Sequence, residues 1–199
     1  MSGLPALVVL LGVAAGYLIG GIPFGLIVGR VAGTGDVRRV GSGKTGFTNP
    51  LRAMGLKWAL IVMAGDIGKG VTAVLVGRLL LGDPWAGALA GVAAVLGHIF
   101  PVYAGFRGGR GVATAFGAFL GVSWPAALAV VLFSAIVLAV WRYASLMSVV
   151  GVFVGFLVVV ALVQRQQLEA PYLVFAVCTM RSEEHTSELQ SRETISYAV

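Results

Sequence analysis

The chain has 199 residues, of which 58% are hydrophobic and only 11% are charged, and its net charge is +6. Soluble domains carry about 25% charged residues, so the composition excludes a water-soluble globular domain and predicts an integral membrane protein. The excess of basic charge is then expected to mark cytoplasmic loops or an anionic substrate, and not a surface for nucleic acid. The single cysteine, Cys178, excludes an internal disulfide.

Seven apolar segments follow one another along the chain, and a helix needs about 20 apolar residues to cross a bilayer. The first segment has no basic region before it, which predicts a retained span and not a cleaved signal peptide. We therefore predict an all-α, polytopic integral membrane protein of about seven transmembrane helices. The predicted segments are residues 4–28, 58–76, 85–103, 112–122, 126–141, 146–163 and 170–180, with a long polar segment at 29–57.

The distribution of basic residues favours one orientation. If the N-terminus lies outside and every segment crosses, nine Lys and Arg residues fall in inside loops, and only Arg78 and Arg165 fall outside. The prediction is an N-terminus outside and a C-terminus inside. Segment 112–122 is short enough to be re-entrant, and the charge pattern leaves that alternative open. The nine inside residues are Arg30, Arg38, Arg39, Lys44, Arg52, Lys57, Arg107, Arg110 and Arg142.

The character of the chain changes abruptly at Arg181. The last residues are polar and lack apolar periodicity, and residues 181–191, RSEEHTSELQS, are similar to the translation of a widely used sequencing-library adapter. We predict that residues 1–180 form the transmembrane domain, truncated in its last helix, and that 181–199 are a non-native, disordered tail. The alternative is a natural disordered tail.

The first inside loop concentrates glycine, hydroxyl and basic residues. Residues 41–46 fit G-x-G-x-x-G and residues 43–45 imitate the end of a P-loop, but both motifs require an α/β unit, and a P-loop would need glycine in place of Arg38. Closely spaced glycines can still turn backbone N–H groups toward an anion, and an arginine can bind phosphate bidentately. A flexible loop whose charge only sets topology is the alternative. The candidate phosphate-binding residues here are Ser42, Gly43, Thr48, Asn49 and Arg52.

The second inside loop places two arginines among three glycines, directly before an apolar segment. A helix N-terminus with exposed amides and adjacent arginines binds phosphate. Two ordinary topogenic arginines are the alternative. The candidate phosphate-binding residues here are Arg107, Gly108, Gly109, Arg110 and Gly111.

Three further features place polar groups near these loops. Asp66 and Lys69 share one face of the second span and can pair, either as a purely structural ion pair or as support for the site, since ionisable groups inside a membrane rarely face lipid. His98 is either a packing residue or a base or substrate donor. Residues 142–148 form either a third wall of the site or an interfacial belt. The sequence has no cluster of metal ligands and no G-x-S-x-G motif, so we expect neither a metal nor a cofactor.

Together, in their order and spacing, these motifs resemble the PlsY-type acyl-phosphate:glycerol-3-phosphate acyltransferases of bacteria. The resemblance runs from the first span to about residue 180. The matching motifs are Ile22-Pro23-Phe24-Gly25, Gly41-Ser42-Gly43, Gly46, Thr48-Asn49, Leu51-Arg52, Asp66, Lys69-Gly70, Gly97-His98, Pro101-Val102, Phe106 to Thr114, Tyr143 and Ser145-Leu146.

The resemblance implies an enzyme with seven helices and an active site that faces the cytoplasm from the bacterial inner membrane. It would transfer a fatty acyl group from acyl phosphate to glycerol 3-phosphate, forming lysophosphatidic acid and phosphate in phospholipid biosynthesis. Its partners would be these two substrates, the lipid bilayer and the enzyme that produces the acyl phosphate. A membrane transporter for phosphate or a small organic anion is the alternative, although transporter sites usually lie near the midplane between internal repeats, and no repeat is visible in this sequence.

The resemblance also implies roles for single residues. Ser42 and Arg52 would bind glycerol 3-phosphate, and Arg110 stands where the family usually has lysine. Ser145 matches the family's serine in the third polar cluster, with Ser148 as a substitute. Ser145 is thus one candidate catalytic residue.

The acceptor of the glycerol hydroxyl proton is either the substrate's own phosphate or His98, the second candidate catalytic residue. The chain departs from the family at Lys44, usually asparagine, at Phe47, usually alanine, and at Arg107, usually lysine. Arginine keeps the charge of lysine but changes its geometry. The family's last helix ends in a cytoplasmic His/Asn/Arg/Glu motif, which the tail replaces here.

Overall fold

The computed structural model describes residues 4–141 and 144–180, without the side chains of residues 4, 5, 144 and 145. All regular elements of the described part are helices, which confirms the predicted all-α fold class. Within these described residues, five segments are long and apolar enough to cross a membrane: Ala6–Val31, Leu56–Leu80, Pro84–Ala104, Trp124–Trp141 and Leu146–Gln164. The helices are α1 (Leu4–Gly20), α2 (Phe24–Val31), α3 (Thr48–Met54), α4 (Leu56–Leu75), α5 (Pro84–Ile99), α6 (Val112–Val122), α7 (Trp124–Trp141), α8 (Ala144–Gln164) and α9 (Pro171–Met180).

The first predicted span, 4–28, corresponds to the segment Ala6–Val31, and the structure adds that this segment consists of two helices, α1 and α2. The helix breaks between Gly20 and Phe24 because Pro23 lacks a backbone N–H and its ring excludes an uninterrupted helix. The break frees the carbonyl of Ile22, which accepts a hydrogen bond from Lys69 Nζ at 3.0 Å. A charged side chain of α4 thereby stabilises the break.

The long polar segment at 29–57 is more ordered than the loop that was predicted. It contains a 3₁₀ turn at Val37–Arg39 and the short helix α3. Gly55, with φ of +81°, separates α3 from α4 in a conformation that disfavours other residues. Val37 is buried in a small apolar cluster with Leu26 and Ala104, so this segment packs against the body of the protein.

Standard sequence signals set the ends of the helices around the second loop. Asp83 caps α5 by accepting a hydrogen bond from the amide of Ala86 at 3.0 Å. The helix ends before Pro101, and Gly111, with φ of +91°, stands at the N-cap of α6. Helix α6 has the bounds predicted for the fourth segment, but its 11 residues span about 17 Å, less than a hydrocarbon core of about 30 Å.

Small residues allow two pairs of helices to approach closely. Gly12, Gly16 and Gly20 of α1 lie against Ala86, Ala90 and Ala94 of α5. Likewise, a Cβ atom at Gly70 of α4 would overlap the backbone of α6. Helices in lipid associate largely through such contacts, because apolar side chains gain little by leaving an apolar solvent. Helix α4 begins after the first polar loop and α5 ends at the second, and the two helices are in contact, so the two loops lie at one end of the bundle.

The main apolar core lies between α4, α5, α6, α7, α8 and α9. Phe119 of α6 and Phe175 of α9 are both fully buried, with ring centroids 4.9 Å apart in an edge-to-face arrangement. Tyr172 belongs to the same core. Helix α9, predicted as half a span, is thus an integral part of the packed bundle.

Candidate active site

A cavity of about 520 Å³ lies where the first loop, the start of α6 and the inward faces of α4 and α5 meet. Helices α7 and α8 complete its wall. Of the residues predicted to bind phosphate, the structure brings six to this cavity. They are Ser42, Thr48, Asn49, Arg52, Arg110 and Gly111, and His98 and Asp66 also line it.

Among the described residues, three cationic side chains line the cavity: Lys44, Arg52 and Arg110. Within the described parts of the chain, none of the three forms an ion pair with a carboxylate. Asp66, the acidic residue among the described lining residues, is already paired with Lys69. The mouth of the cavity therefore carries uncompensated positive charge and suits an anion, or two anions side by side.

The fold gives the first loop a rigid base. Asn49 is buried, and its Nδ2 donates hydrogen bonds of 2.8 Å to the carbonyl oxygens of Val37 and Lys44. Gly41 and Gly43 have positive φ values of 59° and 67°, as a glycine-rich anion-binding loop requires. Asn49 was predicted as a phosphate ligand, and the structure adds that its amide nitrogen holds the loop. Gly43 is not among the residues that line the cavity.

The second loop folds back onto the end of α5. The amides of Gly108 and Gly109 donate to the carbonyl oxygens of Ile99 and His98, at 3.2 and 3.1 Å. A Cβ atom at Gly109 would overlap the imidazole of His98. These two glycines were predicted for their phosphate-binding amides, whereas the structure engages those amides within the fold and requires glycine for close packing.

Arg107 and Arg110 have different surroundings. Arg110 lines the cavity, whereas Arg107 is exposed and is not among the lining residues. The amides in the first turn of α6 follow Arg110 directly, and a helix leaves these N–H groups without intrahelical acceptors. The positive end of α6 therefore points its unsatisfied donors toward the cavity that Gly111 and Val112 line.

A buried charge cluster forms the floor of the cavity. Lys69 Nζ lies 2.8 Å and His98 Nδ1 lies 3.4 Å from Asp66 Oδ1. The Asp66 side chain is 2% exposed, and its Oδ2 has no hydrogen-bond partner in the part of the chain that the structure describes. The predicted Asp66–Lys69 pair is thus present, and His98 joins it from α5. Lys69 itself does not line the cavity, because it faces the break between α1 and α2.

The third polar cluster is only partly described. Arg142 and Tyr143 lie outside the described residues, and so does the side chain of Ser145. Ser148, the predicted substitute, is buried and lines the cavity. Ser134 of α7 also lines the cavity and donates a hydrogen bond to the carbonyl of Met147 at 3.1 Å.

Sequence reasoning did not identify Ser134 or the apolar wall of the cavity. The signal for Ser134 was its position as the one hydroxyl residue within the otherwise apolar helix α7, Trp124–Trp141. The apolar lining could not be told from ordinary membrane-spanning residues, because both are simply hydrophobic. That lining includes Met63, Ile67, Phe116, Val130, Val131 and Met147.

Comparisons with known proteins agree with this geometry. The family model for glycerol-3-phosphate acyltransferase matches residues 10–191, which extends beyond the boundary predicted at residue 180. A glycerol-3-phosphate acyltransferase from Jannaschia is 48% identical over 144 residues, 71% of this chain and 70% of that protein. One from Cereibacter sphaeroides is 44% identical over 176 residues, 88% of this chain and 82% of that protein.

The fold is similar to that of a solved relative. A crystal structure of PlsY, an integral membrane glycerol 3-phosphate acyltransferase, in its glycerol 3-phosphate form, superposes with a TM-score of 0.83 at 33% sequence identity. The similarity covers 94% of this chain and 92% of that one, and the lysophosphatidic acid form superposes equally well. Since the family model covers most of the chain, and the fold and motif order agree with it, the chain belongs to the glycerol-3-phosphate acyltransferase family.

Proposed function

We propose that this protein transfers a fatty acyl group from acyl phosphate to glycerol 3-phosphate, forming lysophosphatidic acid and phosphate in phospholipid biosynthesis. The observation that carries the proposal is the composition of one cavity. Three cations that form no ion pair with any described residue line it, together with an apolar wall from α6, α7 and α8. A site that holds two phosphate groups and an acyl chain needs cations for the phosphates and an apolar surface for the chain.

The polar end of the cavity would hold both phosphate groups. Arg52 and Ser42 bind the phosphate of glycerol 3-phosphate, and Thr48 and Lys44 complete that side of the site. Arg110 and the amides that open α6 bind the phosphate of the donor. Fixed cations and amides offset the repulsion between two anions and stabilise the charge that develops as phosphate leaves.

Acyl phosphate is a mixed anhydride and is already activated, so the reaction needs no covalent intermediate on the protein. The glycerol hydroxyl oxygen attacks the acyl carbonyl carbon, a new C–O bond forms, and the bond between the carbonyl carbon and the phosphate oxygen breaks. The hydroxyl proton passes to a phosphate oxygen of a substrate. Holding the two reactants in this geometry is the main contribution of the protein.

The candidate catalytic residues have supporting parts in this scheme. His98 has Asp66 at its Nδ1 and Gly109 against its ring, so it acts by positioning the second loop. Asp66 and Lys69 hold His98 and the break before α2 in place. Gly108 and Gly109 shape the loop that presents Arg110, and Gly43 shapes the first loop. Ser145 and Arg107 are further proposed substrate contacts.

The apolar wall gives the acyl chain a place that is continuous with the membrane. Val131 of α7 lines the cavity and is also exposed on the bundle, at 44%. An acyl chain can then lie partly between helices and partly in lipid. We place the polar end of the cavity at the cytoplasmic face of the bacterial inner membrane, because most loop arginines and lysines lie at that end, and we expect the enzyme that produces acyl phosphate to deliver its product there.

The test is an assay of the purified protein in lipid nanodiscs. We expect acyl phosphate and glycerol 3-phosphate to give lysophosphatidic acid and phosphate in equal amounts, and acyl-coenzyme A to give none. Arg52→Ala should lower the turnover sharply, whereas Arg165→Ala, on an exposed residue outside the cavity, should not. The transporter alternative predicts uptake of phosphate into liposomes without any lysophosphatidic acid, and that result would overturn the proposal.

We also propose that residues 181–199 are not native, on the strength of their similarity to a translated adapter. These residues lie outside the described part of the chain. Sequencing the 3′ end of the gene from an independent library tests the proposal. Recovery of the same 19 codons would contradict it, and any activity assay should use both versions of the C-terminus.

A further inference from the structure

Arg38 connects the two loops that line the cavity. Its Nη1 donates to the carbonyl oxygens of Ala104 at 2.8 Å and Arg107 at 3.4 Å. The remaining face of the guanidinium is bound by Asp36, with Nε 3.0 Å from Oδ1 and Nη2 2.9 Å from Oδ2. Each of the three guanidinium nitrogens therefore has an acceptor within the protein.

The contacts of Asp36 make this arrangement rigid. Its carboxylate also accepts a hydrogen bond of 2.9 Å from the backbone amide of Arg38 and caps the 3₁₀ turn at Val37–Arg39. These hydrogen bonds, from the side chain and then the backbone of Arg38, lower the pKa of Asp36 from 3.8 to about 2. The carboxylate is thus ionised at every pH at which the enzyme would work.

Asp36 and Arg38 lie at positions that connect them to both loops of the site. The 3₁₀ turn runs directly into residues 40–44, and the carbonyl of Arg107 belongs to the loop that ends at Arg110. The first loop presents Lys44 and Arg52 to the cavity, and the second presents Arg110. A change in the spacing of the two loops would separate these cations.

We propose that Asp36 and Arg38 are positioning residues that fix the spacing between the two cationic loops and so align the two bound phosphate groups. The expected effect on kinetics rests on the proposed function, whereas the expected effect on the spacing of the loops does not. Neither residue lines the cavity, so both act through the groups that do. A planar fork is required, because a lysine ammonium cannot bind a carboxylate bidentately and reach two carbonyl groups at once.

Arg39 provides a matched control. It is the next residue, it is exposed, and its side chain forms no hydrogen bond or ion pair with any described residue. Arg38→Met and Arg39→Met remove the same charge from the same turn, and Arg38→Lys and Arg39→Lys keep it. A difference between the paired variants therefore reports the contacts of Arg38 and not the net charge.

The first experiment measures the spacing of the loops without reference to activity. Spin labels at Val40→Cys and Tyr103→Cys, both exposed positions, in a Cys178→Ser background, give the distance between the loops by pulsed electron paramagnetic resonance. We expect a narrow distribution in the parent and in both Arg39 variants, and a broad one in Arg38→Met and Arg38→Lys. A narrow, unchanged distribution in Arg38→Met would overturn the proposal, and one in Arg38→Lys would overturn the requirement for a fork.

The second experiment measures kinetics. Misplacement of reacting groups by about 1 Å can lower a rate about 100-fold, so we expect kcat of Arg38→Met to fall by about 10- to 100-fold, with Arg39→Met within twofold of the parent. Asp36→Asn should lower kcat as well, and adding it to Arg38→Met should have little further effect. Additive effects would contradict the proposal. A parent that is inactive with both versions of the C-terminus would refute the proposed function, while the distance measurement would still test whether Asp36 and Arg38 fix the spacing of the loops.

Discussion

At the scale of single residues, the site is held together by buried polar groups that each have more than one partner. Asp66 contacts Lys69 of its own helix and His98 of α5. Asn49 joins the 3₁₀ turn to the first loop. Such groups are costly to bury alone, so each one makes the position of its partners specific.

The Asp66 cluster gives a prediction about stability. Asp66→Asn would leave the Lys69 ammonium buried without its counter-charge, and we expect it to lower the free energy of unfolding by about 3–5 kcal/mol. The double variant Asp66→Asn/Lys69→Met should recover part of that loss, because it removes the orphaned charge. Thermal unfolding in a fixed detergent measures both. Equal losses in the single and double variants would contradict the pairing.

Arginine geometry gives a prediction about substrate binding. Arg52→Lys keeps the charge at the cavity but loses the bidentate fork. We expect KM for glycerol 3-phosphate to rise about tenfold, equivalent to about 1.4 kcal/mol, with a smaller effect on KM for acyl phosphate. Steady-state assays with each substrate varied in turn measure the difference. Arg165→Lys is the control, and an equal rise for both substrates would contradict the assignment.

The ionisation of Asp36 gives a prediction about pH. Its folded pKa, about 2, lies below the ordinary value of 3.8, so the Asp36–Arg38 contact stabilises the folded protein fully above pH 3.8. That contribution is lost as pH falls through about 2. The difference in unfolding temperature between the parent and Asp36→Asn should therefore be constant from pH 8 to about pH 5 and shrink below pH 4. A difference that already changes between pH 8 and pH 6 would point to another group.

At the scale of helices, close backbone contact replaces large apolar side chains. Helix α1 meets α5 through glycines spaced four residues apart, the pattern that lets membrane helices approach. Lipid-facing residues of the same helix, such as Leu10, remain 64% exposed on the bundle. The face of α1 that contacts α5 thus requires small residues, whereas the face toward the lipid tolerates substitution.

This contrast is testable in one helix. Gly16→Val would place a branched side chain against the backbone of Ala90, and we expect a loss of about 1–3 kcal/mol. Leu10→Val is the matched control, since it changes a residue on the lipid face, and its effect should stay within about 0.5 kcal/mol. Chemical unfolding in mixed micelles gives both values. Similar losses in the two variants would show that the α1–α5 contact is not selective.

Sequence reasoning predicted most of the helices but not their interruptions. Hydropathy placed the ends of α4 to α9 within a few residues, because long apolar segments have few alternatives in a membrane. It did not place the break before Phe24, although Pro23 was visible, because a proline within a span can equally be accommodated as a kink. Helix α3 was also missed, since seven residues carry too little periodicity to be recognised.

At the scale of the whole molecule, the candidate site combines segments far apart in the sequence. The family resemblance and the charge pattern predicted the two cationic loops. They could not predict that Arg110 lines the cavity and Arg107 does not, or that Ser134 joins it, because those facts depend on the packing of α6 against α4 and α7. Arg38 also contacts the second loop, at positions 66 residues or more away in the sequence. A local sequence pattern cannot predict such a contact.

The pairing of Asp66 with Lys69 also has a consequence for biogenesis. Each charge alone would cost about 2.5–3.5 kcal/mol on insertion at the centre of a membrane helix. Because the two residues lie three apart in α4, their 2.8 Å contact can form as soon as that helix winds, before α5 has been synthesised and has supplied His98. The nascent α4 therefore enters the lipid with its charges already compensated. Its other partners, the carbonyl of Ile22 in the first span and His98 in α5, then pack around a polar centre that was assembled within a single helix.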